Sequence, residues 1–215
     1  MKGFYSICCV VDIGSASKIL KVAQKYGVTG GTISIGRGTV NNRFLAFLKI
    51  NEIRKEIVTM VVEAELAAEA IKGISEEMAF SKPHHGIAFS SPVPEFIGGT
   101  TSQIDKNTKV REVTPNMYKA IYVVVDKGKA ERVIEAANKA GARGGTIINA
   151  RGSGIHETQK FFSLEIEPEK EKVFIIAKNE LKDGIVASIK NDLKIDEPGN
   201  GIIFVLDVND AYGLH

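Results

Sequence analysis

The chain has 215 residues, of which 44% are hydrophobic and 25% charged, with a formal charge of +2; this suits a globular core and excludes a disordered chain. Lys/Arg and Asp/Glu alternate through both halves, as from Glu52 to Glu56 and from Glu165 to Lys172, so no nucleic-acid partner is expected. No apolar run reaches the roughly 20 residues that span a bilayer, and Met1 to Asp12 lacks the length and cleavage site of a signal peptide, which predicts a cytoplasmic protein without membrane insertion.

In chain order, Phe4 to Val11 is rich in β-branched and aromatic residues and reads as a buried strand. Cys8 and Cys9 adjoin on it and so point to opposite faces, which predicts buried free thiols rather than a disulfide. Ile19, Val22, Ala23 and Tyr26 recur at helical spacing, and Gly27 follows where a left-handed cap ends the helix. A strand then starts at Gly31, a loop follows Gly38, and strand-like runs cover Phe44 to Ile50 and Glu56 to Val62. Ala67, Ala70, Ile71 and Ile74 predict a second helix, and Pro83 to Phe89 a loop entering a last strand.

The same order then repeats. Gly27 to Gly38 matches Gly141 to Gly152 at an offset of 114 residues, which also pairs Phe4 with Tyr118, Asp12 with Asp126 and Gly14 with Gly128. The second copy carries a strand from Tyr118 to Val125, helical positions Val133, Ala136, Ala137 and Ala140, and a strand from Gly145. Strand-like runs follow from Phe161 to Ile166 and Lys172 to Ala177, then a helix through Leu181, Ile185, Ile189 and Leu193. Its closing loop, Pro198 to Phe204, aligns with Pro83 to Phe89 at an offset of 115. The fold class expected is α+β: two tandem ferredoxin-like β-α-β-β-α-β domains, each an antiparallel sheet with both helices on one face. The boundaries are residues 1–97 and 116–215, with the polar stretch 98–115 as a linker.

The loops carry the chemistry. Gly-Gly-Thr entering a strand (Gly30, Gly31, Thr32; Gly144, Gly145, Thr146) gives close backbone approach and a hydroxyl, and Arg-Gly leaves it (Arg37, Gly38; Arg151, Gly152). A glycine-rich loop before the last strand exposes N–H groups, a combination that can cradle an anion or simply form tight turns. Arg37 and Arg151 either face a bound anion or pair with a carboxylate across the sheet.

The order and spacing of these motifs, found twice, resemble the P-II nitrogen regulatory signal-transduction family. The resemblance implies a non-catalytic regulator of nitrogen metabolism with three-fold homo-oligomeric symmetry and no tightly bound cofactor. Its effector would be ATP, ADP or another adenine nucleotide, bound between domains or subunits. A partner protein, whether enzyme, transporter or regulator, would read the shape of a T-loop. Mapped by position, the turn that approaches the nucleotide is Gly30, Gly31 and Thr32, and Gly144, Gly145 and Thr146. The base of the T-loop is Gly38, and Gly152 with Gly154. The phosphate loop is His84, His85 and Gly86, and Gly199, Asn200 and Gly201.

Departures accompany the match. Ile87 and Ile202 stand where the family has a phosphate-pairing lysine, Val40 and His84 replace glycines, and the family's basic C-terminal residues are missing before His215. The T-loops are short, about Thr39 to Arg43 and Ser153 to Lys160. No nucleophile–base spacing or Walker-type loop suggests an enzyme. Two further readings stay open. One is a CutA-like protein of divalent-metal tolerance, using His84, His85 and His156; the other is a scaffold oligomer with decayed sites. His156-Glu157 reads either as a solvated loop or as an acid–base pair.

Overall fold

A computed structural model describes residues 3–39, 52–94, 96, 117–152, 159–161, 164–166 and 168–214. The run predicted from Phe44 to Ile50, the linker 98–115, and Val40, Gly154, His156 and Glu157 lie outside the described residues. The chain forms two compact units, Met1–Ile35 with Arg54–Met117 and Asp207–His215, and Gly36–Ile53 with Tyr118–Leu206.

In the first unit, a nearly continuous apolar run, buried on both faces from Ile7 to Val11, makes β1 (Phe4–Asp12) a central strand. It pairs antiparallel with β3 (Glu52–Glu63), Phe4 opposite Glu63, and with β4 (Ile87–Val93), Phe4 opposite Val93. With β2 (Thr32–Thr39) beside β3, the order β2-β3-β1-β4 is that of a ferredoxin-like sheet. The helices α1 (Ala16–Lys25) and α2 (Ala64–Glu77) share one face. Their buried Ile19, Val22, Ala70, Ile71 and Ile74 form one core with Ile7, Cys9, Val11, Val58 and Met60, which come from a single side of β1 and β3. Each such aliphatic side chain stabilises the fold by about 1.5–3 kcal/mol through burial. Gly27 takes φ +83° just past α1, as the cap requires. Cys8 and Cys9 are both free and buried.

The second unit repeats the plan. Its strands are β5 (Tyr118–Asp126), β6 (Thr146–Arg151), β9 (Glu169–Lys178) and β10 (Ile202–Val208), ordered β10-β5-β9-β6. The helices α3 (Ala130–Lys139) and α4 (Asn179–Leu193) enclose Ile121, Val123, Val125, Ile147, Val173, Ile175, Ile185 and Ile189. Leu181 departs from the predicted stripe. It is 36% exposed in the first turn of α4, near Gly141. The single strand predicted from Phe161 to Ile166 is instead a hairpin of β7 (Gln159–Phe161) and β8 (Leu164–Ile166), because Gln159 pairs with Ile166 and Phe161 with Leu164.

Each unit also takes a piece of chain from the other repeat. The end of β2 lies beside β6 in the second unit, with Arg37 opposite Ile147 and Gly38 opposite Thr146. A short strand β11 (Ala211–Tyr212) extends the first unit, with Ala211 opposite Phe89 and Tyr212 opposite Ala88.

Candidate functional site

Two glutamates, at equivalent places in the repeat, organise the first helix of each half. Neither α1 nor α3 has a side-chain cap from its own N-cap residue. Instead Glu56 Oε2 accepts from Ala16 N at 2.8 Å, while Glu171 Oε2 accepts from Gly128 N at 2.9 Å and Ala130 N at 3.0 Å. A carboxylate there satisfies orphan N–H donors and opposes the positive end of the helix dipole. Glu171 is 2% exposed, and a charge so buried requires a partner. The Arg37 guanidinium supplies it, and also lies 4.0 Å from Glu131 Oε1. Of the two readings of Arg37, the structure shows the carboxylate pair.

Arg151 differs: it is exposed and lies opposite Glu169. The Glu169 carboxyl is held below its ordinary range, first by a hydrogen bond from Lys127 and to a smaller degree by the charge of Arg151.

The Gly-Gly-Thr turns have a packing explanation. A Cβ on Gly145 would meet Ile134 Cδ1 at 2.7 Å and the Phe174 carbonyl at 3.0 Å. One on Gly31 would meet Met60 Cγ at 2.7 Å. These glycines seat the strand on its own core, whereas Gly30 and Gly152 have open space at the Cβ position. Thr146 is buried and Thr32 exposed, and Gly144 takes φ +128°.

The loops before the last strands keep one geometry in both halves. His84 takes φ +66° and Gly199 φ +84°, while Gly86 and Gly201 take +123° and +129°. At both of the latter a Cβ would strike a β1 or β5 carbonyl, Val10 or Val124, so glycine is required. His84 therefore holds the left-handed conformation of the glycine it replaces. His85 Nδ1 lies 3.3 Å from the Met78 carbonyl, and Asn200 Nδ2 donates to Lys194 O at 3.0 Å, so each loop is tied to the end of its preceding helix.

Within the second unit, register sorts the candidate residues into two groups. Arg151 lies opposite Glu169, Asp126 lies opposite Lys170, and Gly201 adjoins Val124 and Val125, so Arg151-Gly152 and Gly199 to Gly201 share one end of the sheet. Gly144, Gly145 and Thr146 stand at the far end of β6, with Gly38. Lys127, Lys129 and Lys170 also gather at the first end; hydrogen bonds from Lys129 and Lys170 hold the Asp126 carboxyl below its ordinary value. Gly152 N donates to Pro168 O at 3.1 Å, closing the base of the β6–β9 connection, which is longer than the loop expected between Ser153 and Lys160. Sequence reasoning missed Glu56, Glu171 and these lysines. The recurrence of Glu56 and Glu171 at an offset of 115 was the available signal.

Among the described residues no group of three His, Cys, Asp or Glu is placed to hold a metal ion, and no helix is long and apolar enough to cross a membrane. Residues 118–215 match the family model described as Nitrogen regulatory protein P-II. Among solved structures the chain is similar to Arabidopsis thaliana PII bound to citrate, at 26% identity and a TM-score of 0.35, over 44% of this chain and 78% of that one. No curated protein matches the chain.

Proposed function

We propose that this chain, whose residues 118–215 match the P-II family model, is a P-II-type, non-catalytic signal-transduction regulator of nitrogen metabolism. Its effector is an adenine nucleotide, ATP or ADP, bound reversibly at a site that includes the second repeat. The observation that carries this reading is the family match itself, because it spans Gly144 to Thr146, Arg151-Gly152 and Gly199 to Gly201 together. Two features of the fold add support. The turn at Gly199 to Gly201 shares a sheet end with exposed Arg151 and with Lys127, which pairs with Glu169 at the surface, so cations stand near where an anion would sit. Gly152 and Pro168 are joined by a hydrogen bond at the two ends of the β6–β9 connection, where a change in ligand contacts at Gly152 would be passed to a docked partner protein. The working form is a cytoplasmic homo-oligomer with three-fold symmetry.

A thermal-shift series with ATP, ADP, AMP, cyclic dinucleotides, 2-oxoglutarate and divalent metals tests this. A ligand at 100 times its Kd stabilises by about 2.7 kcal/mol, a shift readily seen. The reading expects a rise with ATP or ADP. A rise with copper alone would replace it with the metal-tolerance reading, and no rise with any nucleotide would overturn it.

A further inference from the structure

The two closing loops differ in what lies over the strands they enter. In the first unit, residues that follow β10 run along the outer edge of β4. Asn209 N donates to Ser90 O at 2.8 Å, Ser90 N to Asp210 O at 2.9 Å, and Ser90 Oγ to Asp210 Oδ2 at 2.9 Å. Tyr212 packs on the first core. Gly213, at φ +80°, lies so close over the Gly86 carbonyl that a Cβ would collide with it. The segment thus ends over Gly86, at the point where the loop enters β4, and brings the Asp210 carboxylate but no Lys or Arg. In the second unit the equivalent strand is open: Phe204 is 39% exposed where Phe89 is 3%, and Leu206 is 44% exposed where Ser91 is 7%.

We infer that the C-terminal segment Asp210 to Gly213 is a built-in plug of the first closing loop, so that each chain offers one anionic-effector site, at Gly199 to Gly201, rather than two. A loop whose Gly86 carbonyl is covered, by a segment that carries a carboxylate and no cation, disfavours a polyphosphate. The second loop has the same backbone geometry and an open strand beside it. The inference rests on the proposed nucleotide reading for its ligand, but the docking of the segment stands apart from it.

The test combines two measurements on the full chain. Calorimetric titration with ATP is expected to give one site per chain, lost in Gly199→Val. Removing residues 209–215, or displacing the segment with Gly213→Val, is expected to raise the count to two. Two sites in the unaltered chain, or one site in a folded Gly213→Val chain, would overturn the inference. Hydrogen exchange reads the plug without any ligand: the Ser90 amide is expected to be strongly protected and to lose at least tenfold of that protection in Gly213→Val. A fast-exchanging Ser90 in the unaltered chain would refute the plug. Absence of ATP binding with Ser90 protected would instead refute the nucleotide reading and leave the plug supported.

Discussion

Arg37, from the first repeat, ion-pairs with Glu171, from the second, and Glu171 at the same time caps α3 through Gly128 N and Ala130 N. One side chain therefore fixes both the end of β2 and the start of a helix. Glu56 holds the same place in the first unit and caps α1 through Ala16 N.

This difference predicts unequal costs. Glu171→Ala removes the cap and the carboxylate nearest to Arg37, for roughly 3 kcal/mol, the lower end for a buried pair because Arg37 keeps 28% of its side chain exposed and Glu131 lies 4.0 Å away. Glu56→Ala should cost nearer 1 kcal/mol, the usual worth of a cap. Urea denaturation of both variants, with Arg37→Met to complete a double-mutant cycle, checks the coupling. Equal losses at the two glutamates would contradict it.

The glycines separate by space rather than by motif. Gly145→Ala forces a methyl against Ile134 and the Phe174 carbonyl and should cost about 1–3 kcal/mol. Gly152→Ala meets nothing within 4 Å and should lie within about 0.5 kcal/mol of the parent. Melting temperatures of the two variants decide this.

Much of this was legible in sequence, and the reasons are local. Runs rich in β-branched and aromatic residues such as Phe4 to Val11, helical spacing through Ile19, Val22 and Ala23, and Gly27 as a cap are short-range signals read from neighbours in the chain. The pairing of Arg37 with Glu171 joins residues 134 apart and depends on which strand lies beside β6. No local pattern encodes that choice. The same holds for β11, whose two residues gain their structure only from the edge of β4.

Asp126 sets a pH dependence. Hydrogen bonds from Lys129 and Lys170 lower its folded pKa below the ordinary value of about 3.9. Its contribution is therefore present above that value and lost as pH falls through the lower folded value. Stability measured against pH should drop below about pH 4, and Asp126→Asn should flatten that limb. An unchanged acid limb would show that the lysine pair is not felt.

Burial pushes the Cys9 thiol well above its ordinary range, with Cys8 adding to the effect. A thiol held neutral and out of contact with solvent is a poor nucleophile. Neither cysteine should react with a chromogenic disulfide at pH 8 until denaturant unfolds the chain, when both should. Rapid labelling of the native protein would contradict this placement.

The central claim, that the chain senses an adenine nucleotide through its second repeat, is tested most directly by calorimetric titration of ATP into the full chain and into Gly152→Val. The open surroundings of Gly152 let valine fold in place, so the substitution tests the site rather than stability. Saturable binding in the parent that is lost in a normally folded Gly152→Val chain is the result expected. Binding that survives the substitution, or no binding in the parent, would contradict the claim.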